Sequence, residues 1–101
     1  MKHSKTDVKR DSQFREWISR QPSCISGNYS EYVEGEGRNS ACHVRRVSRG
    51  AGTATKPLFS CVPMTQEEHE NTHKFGEKYY HEPEWFEAKA DYYFRKWMKS
   101  Q

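Results

Sequence analysis

A chain of 101 residues has room for one domain. Hydrophobic residues make up 33% of it and aromatic residues 14%, so its core must be small and built largely from rings. The net charge of +3 is too mild to identify a partner, and no stretch is apolar enough to cross a membrane. With no signal-peptide core and three cysteines that share no paired spacing (Cys24, Cys42 and Cys61), we expect a cytoplasmic protein without a disulfide framework or a membrane partner.

The first third of the chain predicts one helix and a turn-rich stretch. Residues 1–10 are polar and charged, and we expect them to be disordered. A short amphipathic helix should run from Asp11 or Ser12 to about Arg20, because three apolar residues recur there at helical spacing: Phe14, Trp17 and Ile18. Residues 26–40 contain glycines and asparagines typical of turns and predict at most a loose hairpin.

The middle of the chain predicts two strands followed by a helix. The strands are expected over residues 41–47 and 58–62, with a glycine-containing loop between them. Thr65 and Glu68 form a capping box, in which each side chain satisfies a free backbone N–H of the helix start. The helix should therefore cover residues 66–75, and the glycine that follows supplies a left-handed C-terminal cap.

The last predicted element is a helix over residues 83–99. Pro83 is favoured in a first helical turn, since its missing N–H would have no partner there anyway. An apolar stripe at helical spacing indicates the face that packs in the core, and it consists of Phe86, Ala90, Tyr93 and Trp97.

Three histidines and a basic loop lie in this strand, loop, strand and helix region. His69 and His73 are four residues apart on the predicted helix, where both imidazoles can bind one metal ion, although such pairs also occur by chance on exposed helices. His43, on the first strand, can face them. The loop carries four basic residues with no acid between them, namely Arg45, Arg46, Arg49 and Lys56. It is therefore either a phosphate-binding segment or an ordinary solvated loop.

Together these features supply the three things that phosphodiester hydrolysis needs. They are a base that activates water, a cation that stabilises the developing negative charge, and positive groups that position the nucleic-acid backbone.

The run from Ala41 to Gly76 resembles HNH endonucleases of the ββα-metal fold, and it is similar to small phage and prophage members, including recombination-associated nucleases. The shared pattern is a first-strand histidine, a basic loop ending in Lys-Pro, a Val-Pro strand end and a helix with HxxxH. The resemblance implies an α+β fold with a small ββα-metal (His-Me finger) core at about residues 40–76, flanked by the N-terminal and C-terminal helices.

The same resemblance implies roles for individual residues. His43 matches the general base, and His69 with His73 matches the ligands of one divalent metal ion, zinc or magnesium. Arg45, Arg46 and Lys56 fall where phosphate contacts are expected. DNA is the implied substrate rather than RNA. A double-strand break would need a dimer or two binding events, because one such site cuts one strand.

Departures from the family pattern concern three positions. Ser60 stands where the family has the asparagine that orients the base, so orientation falls to Ser60, to a backbone carbonyl or to nothing. Cys42 stands where a third metal ligand is common; it is either a ligand, which would favour zinc, or a small core thiol. Cys24 is what remains of a zinc knuckle found in some relatives, so we expect no second structural metal.

Three functions fit these observations. The first is a metal-dependent DNA endonuclease. The second is a zinc-stabilised nucleic-acid-binding module without catalysis, which shares the metal helix and the basic loop but does not use His43 as a base. The third is a partner-binding phage protein, in which the histidines are coincidental. It explains the aromatic content but not the capping box, the HxxxH spacing and His43 together.

Overall fold

A computed structural model describes residues 5–30, 38–44 and 58–101 of the chain. In these ranges the elements, in chain order, are helix α1 (Lys5–Ser19), strand β1 (Ser40–His43), strand β2 (Cys61–Met64), helix α2 (Gln66–Phe75) and helix α3 (Pro83–Lys99), with a short 3-10 turn at Glu77–Tyr79 between the last two helices. The predicted α+β class is confirmed. No helix within the described ranges is long and apolar enough to cross a membrane.

The two strands form one antiparallel pair. Ser40 lies opposite Met64 and His43 lies opposite Cys61. All four residues of β2 are buried, whereas β1 alternates between the buried Cys42 and the exposed His43. Successive side chains of a strand point to opposite faces, so a strand buried throughout must be covered on both sides.

One face of the sheet packs against the first half of α3. The buried residues of this cluster are Cys42, Val44, Val62, Met64, Phe86 and Ala90. The predicted core stripe of α3 supplies Phe86 and Ala90 here and places Tyr93, partly buried, at the edge. The core role predicted for this stripe is therefore confirmed.

The other face of the sheet packs against α1 and the second half of α3. Phe14 and Ile18 of α1 are fully buried here with Cys61 and Trp97. Phe14 lies at the centre of the rings, 5.3 Å from the Trp97 centroid and 5.8 Å from that of Phe94. Large rings thus fill both ends of a core that a short chain could not fill with aliphatic residues.

Helix α1 begins at Lys5, well before the predicted Asp11 or Ser12, so residues 5–10, expected to be disordered, are helical. These helical turns could not be predicted because they are solvent-exposed and carry no apolar period, while their residue types still permit helix. The first buried residue of the helix is Asp11, at the point where the apolar pattern starts.

Strand β2 begins at Cys61, three residues later than predicted, and runs through Pro63. Residues 58 and 59 form a turn instead, in which Phe59 has the positive φ of 55°. The carboxylate of Asp11 stabilises this turn by accepting the Phe59 N–H at 2.8 Å. Pro63 is tolerated in a two-stranded sheet because its missing N–H faces the edge, where its carbonyl accepts the Cys24 N–H at 2.9 Å.

The bounds of α2 and α3 agree with the prediction at both ends. For α2 both hydrogen bonds of the capping box between Thr65 and Glu68 are present. Gly76 has the positive φ expected of a C-terminal cap, 82°, but its ψ of 165° is extended rather than left-handed helical. Strand β1 covers Ser40–His43, and the remainder of the first predicted strand, residues 45–47, lies outside the described residues.

Glu68 connects the start of α2 to the segment that follows α1. Its Oε1 accepts the partly buried Thr65 N–H at 2.9 Å and the buried Ser23 hydroxyl at 2.6 Å. Burial alone would raise the pKa of Glu68, but hydrogen bonds from Ser23, Ser26 and Thr65 together hold it below its ordinary value. The carboxylate is therefore stabilised in its charged form inside the fold.

Replacing Glu68 with alanine should lower the free energy of unfolding by about 2 kcal/mol at pH 7, because it removes a helix cap and leaves the buried Ser23 hydroxyl without its acceptor. Since the folded-state pKa is lowered, this stability is complete above the ordinary value of 4.5 and is lost as the pH falls through the lowered value. Urea melts at pH 7 and at acid pH measure both effects. Glu67→Ala, in the same turn but exposed, is the control and should change stability by less than about 0.5 kcal/mol. Equal losses in the two variants would contradict the role given to Glu68.

Candidate metal centre

Helix α2 brings His69 and His73 together as their spacing predicts. Their Nε2 atoms lie 2.8 Å apart, and their ring centroids are 4.5 Å apart with the planes inclined by 43°. One nitrogen can donate a hydrogen bond to the other when both rings are neutral. The two nitrogens that could bind a metal thus converge on one point beside the helix.

The surroundings of His69 favour the neutral imidazole. Its ring is partly buried, and this burial, assisted by the neighbouring His73, lowers its pKa below the ordinary value against the opposing effect of Glu70. A neutral imidazole keeps the nitrogen lone pair that a metal ion requires. His73 is exposed, so the pair is open to solvent on one side.

Three contacts stabilise the backbone and the end of this helix, namely the predicted Gly76 cap and two side-chain hydrogen bonds that the sequence did not predict. The Thr72 hydroxyl donates to the His69 carbonyl oxygen at 2.7 Å, and the Asn71 amide donates to the Tyr80 hydroxyl at 2.9 Å. The N–H of Gly76 donates to the Thr72 carbonyl at 2.9 Å. Hydrogen bonds between side chains distant in sequence depend on how the chain folds back, which local patterns do not encode.

The histidine pair fits a divalent transition ion. Two Zn–N bonds of about 2.0–2.1 Å at a tetrahedral angle place their nitrogens about 3.3 Å apart, so a small ring rotation would suffice. Imidazole nitrogens suit zinc and its neighbours better than magnesium, which prefers oxygen. Among the described residues no third histidine, cysteine or carboxylate joins the pair to make a group of three.

His43 occupies the last position of β1 and is exposed to solvent. It lies on the opposite face of the strand from Cys42 and beside Cys61 of the partner strand. It does not form a three-residue ligand group with the pair on α2. An exposed imidazole outside the ligand group is compatible with the predicted role of a base, which acts on water rather than on the ion.

Cys42 lies in the core rather than beside the histidine pair. It is 5% exposed, packs among Val44, Val62 and Phe86, and its Sγ lies 3.6 Å from the Ser40 carbonyl oxygen. Burial, with smaller effects of neighbouring groups, raises the pKa of this thiol far above its ordinary range. The structure places Cys42 among core residues, as the core-thiol interpretation expects, because strand alternation turns the side chain to the face covered by α3. The ligand role stays a prediction from the sequence.

Cys24 is another thiol of the same cluster and packs at its edge. Burial and the charge of Glu68 raise its pKa to about 12, so it is protonated at neutral pH. All three cysteines are free thiols in this structure.

Ser60 is fully buried at the entry to β2. Its hydroxyl donates to the Val44 carbonyl at 2.8 Å, and its own carbonyl accepts the Val44 N–H at 2.9 Å. The single hydroxyl proton is thus used by the backbone of the residue that follows His43. Ser60 fixes the end of β1, and with it the backbone from which the His43 side chain extends.

The basic loop predicted to contact phosphates lies outside the described residues. It carries Arg45, Arg46, Arg49 and Lys56. The roles proposed for these four side chains therefore stay predictions from the sequence.

None of the protein-family models, curated proteins or solved structures compared with this chain shows significant similarity to it. Function is therefore inferred from the residues and their geometry.

Zinc should raise the melting temperature of the protein, and His69→Ala or His73→Ala should remove most of that rise. At a free zinc concentration of about 100 Kd the gain is about 2.7 kcal/mol, which corresponds to roughly 10 °C for a domain of this size. Melts with zinc and with EDTA measure it. His81→Ala, a histidine away from α2 that stacks on Trp85, is the control and should keep the full zinc response. The same zinc response in all three variants would rule out a metal site at the pair.

Proposed function

We propose that this protein is a metal-dependent endonuclease that hydrolyses phosphodiester bonds in DNA. The observation that carries the proposal is the 2.8 Å approach of the His69 and His73 Nε2 atoms on the helix that directly follows the antiparallel strand pair. The first of those strands ends at His43. This order of elements, with a histidine on the first strand and two on the helix, is the order that the resemblance to HNH nucleases implies.

His69 and His73 are the residues that would hold the ion, and zinc suits their nitrogen donors. When bound, a divalent cation supplies positive charge that stabilises the phosphoryl oxygens and the departing oxygen during hydrolysis. The helix keeps both rings at one turn of spacing, and the Glu68 cap at its start fixes the turn that carries His69. The protein thus contributes two prearranged ligands on one rigid element.

His43 is the proposed general base. Its exposed imidazole can accept a proton from a water molecule that attacks phosphorus, and histidine is the usual residue for this task near neutral pH. The two hydrogen bonds between Ser60 and Val44 hold the backbone beside it. A general base must be held in position as well as being basic. The hydrogen bonds between Ser60 and Val44 would therefore supply part of the orientation that the asparagine side chain provides in the HNH pattern.

The local positive charge of the chain suits a polyanionic substrate such as DNA. Four basic residues follow His43 within a segment that contains no acid, namely Arg45, Arg46, Arg49 and Lys56. Such side chains contribute affinity through phosphate contacts without reading sequence. DNA, rather than RNA, is proposed on the family resemblance, and a cut of both strands would require a dimer or two binding events.

A zinc-stabilised DNA-binding module without catalysis is the second candidate. The observation that favours it is the use of the Ser60 hydroxyl proton by the Val44 carbonyl, which prevents Ser60 from donating to the His43 ring. A base whose ring Ser60 does not orient directly differs in this respect from the base of the related nucleases, in which a side-chain amide does so.

The experiment that separates the two is nicking of supercoiled plasmid in the presence of zinc, manganese or magnesium, and of EDTA. Wild-type protein should nick, and His43→Ala should reduce the rate by at least 100-fold, the usual contribution of a general base. The zinc-induced rise in melting temperature should persist in His43→Ala, because this residue is not a ligand. Ser40→Ala, at the other end of β1, is the control and should nick at the wild-type rate.

A His43→Ala protein that nicks as fast as the wild type would exclude His43 as the base. A wild-type protein that binds DNA and zinc but does not nick with any of the ions would favour the binding module instead.

A further inference from the structure

A second face of α3 carries aromatic and basic side chains in alternation. Trp85, Lys89, Tyr92 and Lys96 follow each other at intervals of four, three and four residues, which places them on one side of the helix. The Lys89 ammonium lies 5.3 Å from the Trp85 ring centroid and 5.7 Å from that of Tyr92, and the Lys96 ammonium lies 5.9 Å from the same Tyr92 ring. We call these four residues the aromatic–lysine stripe. It is distinct from the core stripe that contains Phe86 and Ala90.

Two further ring stacks involve residues of the segment between α2 and α3. His81 stacks on Trp85 with a centroid distance of 3.8 Å. Phe75 and Tyr79, 60% and 57% exposed, stack on each other at 5.0 Å. Phe75 belongs to the last turn of α2 and is two residues from His73.

Burial explains only the Trp85 end of the aromatic–lysine stripe, where this partly buried ring packs against the core cluster. Tyr92 is 47% exposed, so its ring adds little to the core. From residue 89 to residue 99 the helix carries four basic residues against the single acid Asp91; the basic residues are Lys89, Arg95, Lys96 and Lys99. The exposed Tyr92 ring between two cations is the chemistry that binds single-stranded nucleic acid, where bases stack on rings and phosphates meet the cations.

We propose that the aromatic–lysine stripe is a binding surface for single-stranded DNA. A base stacks on the exposed Tyr92 ring, while Lys89 and Lys96 turn from the rings to the flanking phosphates, since a full ionic contact is stronger than an exposed cation–π contact. The distance from Trp85 to Lys96 along the helix is about 16 Å, or about five nucleotides at a stacked spacing of about 3.4 Å. The choice of DNA over RNA depends on the function proposed above, whereas the preference for a single strand follows from the exposed rings alone.

Binding of a fluorescent dT12 oligonucleotide in EDTA, followed by anisotropy, tests the proposal without any need for cleavage. Tyr92→Ala should weaken binding by roughly 5-fold to 100-fold, the range of one stacked base. Tyr92→Phe keeps the ring and should bind like the wild type. Tyr29→Ala is the matched control, because Tyr29 is 48% exposed but lies outside this face, and it should have no effect.

The lysines are tested by the salt dependence of the same binding. Each phosphate contact to a single strand contributes about 0.7 to the slope of log K against log salt, so Lys89→Ala combined with Lys96→Ala should flatten the slope by about 1.4. Glu67→Ala combined with Glu70→Ala, two exposed substitutions on α2, should leave the slope within about 0.5 of the wild-type value because it removes no phosphate contact.

Wild-type affinity in Tyr92→Ala, or an equal loss in Tyr29→Ala, would overturn the proposal. Tighter binding of a 12-base-pair duplex than of dT12 would overturn the single-strand preference, and tighter binding of rU12 would overturn the choice of DNA. These outcomes are independent of the nuclease proposal. A protein that binds dT12 through Tyr92 but does not nick DNA would support this binding surface and contradict the nuclease proposal. A protein that nicks DNA but whose binding of dT12 does not depend on Tyr92 would support the nuclease proposal and contradict this binding surface.

Discussion

The Glu68 carboxylate is the constraint on which the candidate site depends. A carboxylate is stable inside a protein only when hydrogen bonds replace its water, and here Ser23 and Thr65 both donate to it. One donor belongs to the helix start and the other to the segment after α1, so the same oxygen both begins α2 and attaches it to the rest of the fold. The residue that follows Glu68 is His69. The position of the His69 and His73 pair is thus set by a hydrogen-bonded charge rather than by apolar packing, which fits a helix whose buried residue is a glutamate.

The two-stranded sheet determines which side chains at the end of β1 are buried and which are exposed. At the end of β1 the face covered by α3 carries Cys42, which is buried. His43 lies on the other face, opposite Cys61 in the pairing of the strands, and is exposed. A buried thiol and an exposed imidazole at adjacent positions follow from the period of two of a strand. The alternation therefore removes Cys42 from any role at the surface while it makes His43 available to one.

The sequence predicted those elements whose ends carry local chemical signals. The Thr65 and Glu68 pair and Pro83 are such signals, and the helices that they begin have the predicted bounds. The start of β2 was missed because Phe59 adopts a positive φ, which is rare for a bulky residue and is stabilised by the distant Asp11. The proximity of His69 and His73 was predictable because residues four apart in a helix lie about one turn apart on the same face. The contacts of Ser60 with Val44 were not, since they depend on how two distant segments meet.

The histidine pair and the aromatic–lysine stripe lie on different helices, α2 and α3, and the two proposals together have a mechanistic consequence. A base can stack on the exposed Tyr92 ring only when it is unpaired, because the bases of an intact duplex are already stacked on each other and cannot reach the ring. A nuclease built in this way would act on unpaired or distorted DNA in preference to a regular duplex. The preference would come from helix α3 and the chemistry from His43, His69 and His73, so each could be altered without the other.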